Sequence, residues 1–208
     1  MLACAFSYRE FKQANVDLIY LDPGHGGIDG GCISNDGVYE KDIVLDISYK
    51  VKEYLEFNGY RVLMTRTSDY DLADDGSTNR KHDDILKRVD YINDSNAKVC
   101  VSIHANSYPS KIVKGAQVFY GYGSAESENL SNAIQENIKS VLKNTDRVAL
   151  KIKEKYILDN VKCPISIVEV GFLSNTEESK NLQDEAYQLQ IAYAIGEGIV
   201  QFLNVRSE

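Results

Sequence analysis

The sequence lacks the patterns that mark several large classes of protein. Its four cysteines form no C-x-x-C pair, which excludes a thiolate zinc ribbon and a thioredoxin-type redox motif. Lys and Arg number 23 against 31 Asp and Glu, so the chain has a net charge of −8 and no basic stripe for nucleic acid. No apolar run is long enough to span a bilayer. We therefore expect an acidic globular protein that does not bind nucleic acid.

Several well-known catalytic motifs are missing as well. Gly24, Gly26 and Gly27 follow an apolar run, but Asp29 breaks the G-x-G-x-x-G spacing of a dinucleotide site. The chain contains neither a G-x-x-x-x-G-K-[ST] loop nor a G-x-S-x-G nucleophile elbow. These absences disfavour dinucleotide, nucleoside triphosphate and serine-hydrolase chemistry.

The length and composition favour one domain. A chain of 208 residues, 43% of them hydrophobic, can bury a full core without disulfides. No linker, repeat or low-complexity tract divides it, so we expect a single catalytic domain over residues 1–208 with its core at about 17–203. The first residues carry neither the basic segment nor the full apolar stretch of an export signal.

Apolar runs alternate with stretches of helical periodicity along the chain. Ile43, Ile47, Val51 and Leu55 recur every four residues, which predicts one apolar face of a helix. Strand-like runs precede and follow this helix, and a βαβ unit implies parallel strands with a right-handed crossover. We therefore predict an α/β fold with a single twisted, mostly parallel sheet that helices cover on both faces. The predicted strands are 16–21, 61–65, 98–103, 115–120 and 165–170, and the predicted helices are 40–58, 79–93, 124–142 and 184–203.

Side chains capable of chemistry stand where predicted strands end. His25 and His104 follow two strands, Glu169 lies in a third, and Glu40 begins the first helix. Ligands of parallel sheets bind beyond the carboxyl ends of the strands, so these residues are expected to converge. Two histidines and a carboxylate suit Zn(II) and leave a fourth position for water, whose pKa zinc lowers from about 15.7 to roughly 7. A second carboxylate outside the metal fits the proton transfer that amide hydrolysis needs.

Each of these residues also has a purely structural explanation. His25 could be an ordinary turn residue, and His104 an ordinary residue at the end of a strand. Glu40 could stabilise only the N-terminus of its helix, an effect of about 0.3–1 kcal/mol. Glu169 stands in an apolar run, where an unpaired charge is costly, so either a nearby dication or a salt bridge to an arginine such as Arg66 would explain it.

Four ordered motifs resemble the zinc-dependent, type-3 family of N-acetylmuramoyl-L-alanine amidases. The likeness covers about residues 17–203, and residues 72–93 and 144–147 are similar to its germination-specific, spore-cortex branch. The four motifs are Asp22-Pro-Gly-His25-Gly-Gly, Glu40-Lys-Asp, Ser102-Ile-His104-Ala-Asn106 and Val168-Glu169-Val-Gly-Phe-Leu-Ser-Asn175.

The resemblance implies a peptidoglycan hydrolase that cleaves the amide between N-acetylmuramic acid and L-alanine. It implies His25, Glu40 and His104 as zinc ligands and Glu169 as the catalytic acid/base. In the spore-cortex branch, removal of stem peptides prepares the sugar for conversion to muramic-δ-lactam. That branch acts outside the cytoplasmic membrane, so we expect an exported protein whose signal has been trimmed before Met1. Residues 30–38 and Asn106 are expected to line the substrate groove.

Two other functions fit the same residues. A different zinc peptidase, such as a carboxypeptidase acting on wall peptides, shares the metal site but needs a cationic group for the substrate carboxylate, and the sequence names no obvious one. The other is a non-catalytic, wall-binding accessory protein. The chain has no separate wall-targeting module, so its activity could depend on an accessory protein partner, and this observation supports the third hypothesis.

Overall fold

A computed structural model describes residues 16–206, which form one six-stranded sheet and six helices. The predicted α/β class is confirmed, whereas the expectation of a trimmed export signal concerns a region outside the described residues. No helix in the described range is long and apolar enough to cross a membrane. The elements in chain order are β1 (Leu18–Pro23), α1 (Glu40–Phe57), β2 (Arg61–Met64), α2 (Arg80–Asp94), β3 (Val99–Asn106), β4 (Gln117–Tyr120), α3 (Ala125–Leu142), β5 (Leu150–Lys151), α4 (Tyr156–Asn160), β6 (Ile165–Phe172), α5 (Thr176–Leu182) and α6 (Glu185–Val205).

The strand order places three parallel strands side by side at the centre of the sheet. The order is β2-β1-β3-β6-β4-β5, and all neighbours are parallel except β4 and β6. The carboxyl ends of β1, β3 and β6 therefore meet at one edge, and His104 on β3 stands directly beside Glu169 on β6. The predicted mostly parallel sheet is confirmed.

Helices cover both faces of the sheet, as predicted. Side chains alternate along β1, so Ile19 and Leu21 join the larger core under α1, α3 and α6, while Tyr20 joins the smaller core under α2 and α4. Asp22 is two residues after Tyr20 on β1, and His104 is four residues after Cys100 on β3, so both side chains lie on the same face as the smaller core. They therefore stand on the α2 side of the sheet edge.

The structure adds three short elements to the predicted set and lengthens two strands. β5 has two residues and α4 has five, too few to show a period in sequence. The start of α5 could have been predicted, because asparagine is a preferred N-cap residue. In the structure the Asn175 side chain accepts hydrogen bonds from the backbone N–H groups of Glu177 and Glu178. β3 and β6 run past their predicted ends, so His104 is a strand residue, and Glu169 lies within its strand as predicted.

A buried ion pair joins α2 to the end of β1. Arg88, 2% exposed, donates from Nη1 to Asp22 Oδ1 at 2.7 Å and from Nε to Asp84 Oδ2 at 2.8 Å. The hydroxyls of Thr65 and Ser102 also donate to Asp22, at 2.7 and 2.6 Å. Burial by itself raises the pKa of Asp22, but Arg88 and the two hydroxyls outweigh it and lower the pKa to about 2.

A second buried arginine holds the turn that follows β1. Arg66 is fully buried, and its guanidinium donates to four backbone carbonyl oxygens. Three of them belong to Pro23, Gly24 and Lys41, at 3.1, 2.8 and 2.7 Å, and the fourth belongs to Ser68. The predicted alternative, a salt bridge from Arg66 to Glu169, is therefore wrong, because the guanidinium is occupied by the backbone.

Gly198 allows α6 to pack closely on α3, and we expect Gly198→Ala to destabilise the fold. A Cβ there would lie 2.5 Å from the Cα of Ile134, a backbone atom that cannot rotate away. The free energy of unfolding should fall by about 1–3 kcal/mol, measured by urea denaturation. The control Gln190→Ala, at an exposed position of the same helix, should leave stability nearly unchanged. Equal stability of the two variants would contradict this packing.

The Asp22 carboxylate should make stability depend on acid pH. Its pKa of about 2, against an ordinary 3.8, contributes stability that is complete above about pH 4 and is lost as the pH falls towards 2. Asp22→Asn should cost about 3–5 kcal/mol at pH 7, because it leaves Arg88 incompletely paired. It should also reduce the slope of unfolding free energy against pH between 4 and 2. Exposed Asp94→Asn is the control, and an unchanged slope in Asp22→Asn would refute the assignment.

Candidate functional site

His25 is held in an uncommon backbone conformation at the sheet edge. Its φ is 61°, in the left-handed region that few non-glycine residues adopt. Arg88 accounts for part of this restraint, since its Nη2 donates to the carbonyl of His25. Gly24, one residue earlier, lies against the ring of His104, where a Cβ would come within 2.2 Å of Cε1. The Pro-Gly-His turn thus brings the two histidines together.

Asp29 orients the His25 ring. His25 Nδ1 lies 2.8 Å from Asp29 Oδ2, and a carboxylate can only accept, so Nδ1 carries the proton. On the other side of the ring, Nε2 lies 3.0 Å from Glu40 Oε1, and it donates to that carboxylate when it carries a proton. A carboxylate behind a histidine in this way is the usual arrangement around a histidine metal ligand.

Glu40 is the common point of contact for both histidines. Its Oε1 lies 3.0 Å from His25 Nε2, 3.0 Å from His104 Nδ1 and 3.0 Å from the backbone N–H of Ala105. Its Oε2 accepts from the N–H of Cys32 at 2.9 Å. Burial raises the pKa of Glu40, but the hydrogen bonds from His104 and His25 outweigh it, so the pKa lies below its usual range.

The three side chains form a group that can bind a metal. One ligand atom from each of His25, Glu40 and His104 lies within 4.8 Å of the others. A proton on His25 Nε2 satisfies the 3.0 Å contact with Glu40 Oε1, and a metal ion can take the place of that proton between the two ligand atoms. Two imidazole nitrogens and one carboxylate oxygen form a donor set that suits Zn(II). The residues present therefore fit such an ion.

Glu169 lies beside this group without joining it. Its Oε2 is buried and has no hydrogen-bond partner among the described residues. Burial raises the pKa of Glu169, an effect that the charge of His104 opposes and that of Glu40 reinforces. A buried carboxyl with a raised pKa keeps its proton to a higher pH than an exposed one, which suits a group that accepts and donates a proton.

A cavity of about 490 Å³ begins at Glu169 and His104. Asn106 lines it. Residues 30–38 are not among the residues that line this cavity: Cys32 contacts Glu40 and the backbone of Asn106, while Asn35 and Asp36 line a separate small pocket near α5. Their expected place in the substrate groove stays a prediction. The remaining lining residues are Ile85, Phe119, Ile152, Glu154, Lys155, Tyr156, Ile157 and Ile167.

The structure thus brings together all four residues singled out in the sequence. His82, the third histidine, is exposed on α2 and is not part of the group. The supporting roles of Asp29 and Arg88 were missed, and Arg66 was considered only as a partner of Glu169. The place of Asp29 four residues after His25 was a readable signal, whereas nothing in the sequence marked the two arginines as buried.

Comparisons with known proteins show which family this chain is similar to. The family described as N-acetylmuramoyl-L-alanine amidase matches residues 19–201. A germination-specific N-acetylmuramoyl-L-alanine amidase of Bacillus subtilis is 41% identical over 194 residues, which are 92% of this chain and 81% of the relative.

Solved structures show the same fold. The CwlD amidase from Clostridioides difficile, in complex with the GerS lipoprotein, superposes with a TM-score of 0.87 at 40% identity, covering 91% of this chain and 99% of that one. An N-acetylmuramoyl-L-alanine amidase from Clostridium difficile 630 gives 0.83 at 29% identity, covering 92% and 98%. The resemblance found in the four motifs is confirmed, and this chain belongs to the N-acetylmuramoyl-L-alanine amidase family.

Proposed function

We propose that this protein is a zinc-dependent hydrolase of the amide between N-acetylmuramic acid and L-alanine in peptidoglycan. The observation that carries the proposal is the convergence of His25, Glu40 and His104 beside the buried Glu169, in a chain of this family. His25, Glu40 and His104 would hold the metal. When bound, zinc supplies a Lewis acid and lowers the pKa of water to about 7.

The protein's own groups prepare the site for that ion. Asp29 and the turn around His25 fix the ring orientation, and the N–H groups of Cys32 and Ala105 hold the Glu40 carboxylate in place. These contacts fix the ligands before the metal arrives, which reduces the entropy lost on binding.

Glu169 is proposed as the acid/base of the reaction. Its carboxyl takes a proton from the attacking water and delivers it to the departing amine of L-alanine, which leaves poorly while unprotonated. The burial that raises its pKa suits the second step, because it favours the protonated carboxyl that donates to the amine. Its position outside the metal ligands leaves both oxygens free for this transfer.

The relatives support a location and a biological role. We infer that the protein acts outside the cytoplasmic membrane on the spore cortex, removing stem peptides as the first step toward muramic-δ-lactam. The support is its likeness to a germination-specific amidase. A protein partner is also proposed, since the CwlD amidase is found in complex with a lipoprotein.

The carboxypeptidase alternative gains one observation from the structure. Lys155 lines the cavity beside Glu169, so the cationic group that the sequence did not reveal is present. Product masses separate the two reactions. Release of a stem peptide with intact N-terminal L-alanine indicates the amidase, whereas release of a single C-terminal residue indicates the carboxypeptidase.

The metal proposal predicts different outcomes for two histidines. His104→Ala removes a ligand, so the purified protein should lose zinc and nearly all muropeptide cleavage. Chelation of the unmodified protein should have the same effect, with recovery on adding zinc. The matched control is His82→Ala, at an exposed position outside the group, which should keep both zinc and activity. Full zinc content in His104→Ala would exclude this ligand set.

The acid/base proposal predicts that zinc content and turnover separate in Glu169→Gln. The amide keeps the shape of the side chain but cannot transfer a proton, so kcat should fall by about 10²–10⁴ while zinc stays bound. Glu177→Gln, at an exposed carboxylate close in sequence, should behave like the unmodified protein. If Glu169→Gln hydrolyses muropeptides at the normal rate, the proposed mechanism is wrong.

A further inference from the structure

The cavity beside Glu169 has an apolar floor and a charged rim. Ile85, Phe119, Ile152, Ile157 and Ile167 form the apolar part. Lys155 and Glu154 supply the charges, and Asn106 supplies an amide. A mainly apolar cavity with few polar groups is the usual form of a binding site for a small ligand or a short segment of a polymer.

Lys155 is the lysine that lines this cavity, and its charge opposes the rise in the pKa of Glu169. It is exposed, and no carboxylate forms an ion pair with it in the part of the chain that the structure describes. Its neighbours differ: Lys151 lies 3.9 Å from Glu128 and over the ring of Tyr120, and Lys153 lies over the ring of Tyr122. Lys155 is therefore available to an anion in the cavity.

The position of Glu169 indicates which half of the substrate the cavity holds. Two cavities adjoin His104, and of these the larger includes Glu169 while the smaller, of about 130 Å³, extends towards His25 and Asp29. A group that protonates the departing amine must lie on the side of that amine. The cavity lined by Glu169 therefore lies on the peptide side of the scissile amide.

The geometry points to this cavity as the stem-peptide subsite, with Lys155 binding a carboxylate of the residue that follows L-alanine. The inference rests on the proposed amidase function and extends it to substrate selection. The apolar floor suits the methyl group of L-alanine. The lysine distinguishes a peptide with a free carboxylate from one in which that carboxylate is amidated, because both accept a hydrogen bond from the ammonium but only the carboxylate also forms an ion pair with it.

The test compares two muropeptides that differ at one group. In one, the residue after L-alanine carries a free α-carboxylate, and in the other the same carboxylate is a primary amide. The zinc-loaded protein should cleave the acid with a kcat/KM about tenfold higher than the amide. The difference should lie in KM, since the carboxylate that Lys155 would bind takes no part in the reaction and the contact is kept in the transition state.

Four variants identify the source of this preference. Lys155→Met should abolish it by raising KM for the acid about tenfold relative to the amide, whereas any effect of the lost charge on Glu169 should change kcat for both substrates alike. Lys155→Arg keeps the charge and should keep most of the preference. Lys153→Met is the matched control, two residues away and outside the cavity lining, and should retain the full preference. Glu154→Gln removes the other charge on the rim and should also retain it.

A binding measurement separates this inference from the proposed reaction. In Glu169→Gln, calorimetric affinities for the two muropeptides report recognition without turnover. Failure of the zinc-loaded protein to cleave either substrate would overturn the amidase proposal, while the binding preference would still test the subsite. Equal affinity for acid and amide, or a preference that survives Lys155→Met, would overturn the role of Lys155.

Discussion

The buried ion pair between Asp22 and Arg88 is the interaction on which the site depends. It joins the end of β1 to α2, and the same guanidinium continues to the carbonyls of Pro23 and His25. Arg66 also holds the turn, because its guanidinium donates to the carbonyls of Pro23 and Gly24. Two charges buried this deeply are stable only with nearly complete hydrogen bonding. That requirement makes the turn rigid and holds His25 in a left-handed conformation that an isolated peptide would rarely adopt.

Charge is distributed unevenly around the site. Glu40, at the start of α1, is stabilised as an anion by two backbone N–H groups and two imidazoles. Glu169, on β6, has a buried oxygen without a hydrogen-bond partner among the described residues. The pKa of the first is lowered and that of the second is raised. Two carboxylates at one sheet edge are thus suited to different tasks, one to holding a cation and the other to moving a proton.

The sequence predicted the main architecture because periodicity is a local property. The long helices and buried strands were found to within a few residues, since apolar side chains repeat there with periods that neighbours along the chain determine. β5 and α4 were not predicted, because they are too short to show a period. The roles of Arg66 and Arg88 were not predicted for another reason. An arginine in a polar stretch looks the same in the sequence whether its side chain faces solvent or binds buried carbonyl and carboxylate oxygens.

The sequence alone determined the residue types that can carry the chemistry and their order, and with them the family. His25, Glu40, His104 and Glu169 could be named because strand ends in a parallel sheet meet at one edge. The tertiary structure decided the rest. It showed that Glu40 contacts both histidines, that Glu169 stays apart from them, and that Lys155 reaches the same cavity. These facts depend on side-chain directions and distances between residues far apart in sequence, which packing sets and local patterns do not encode.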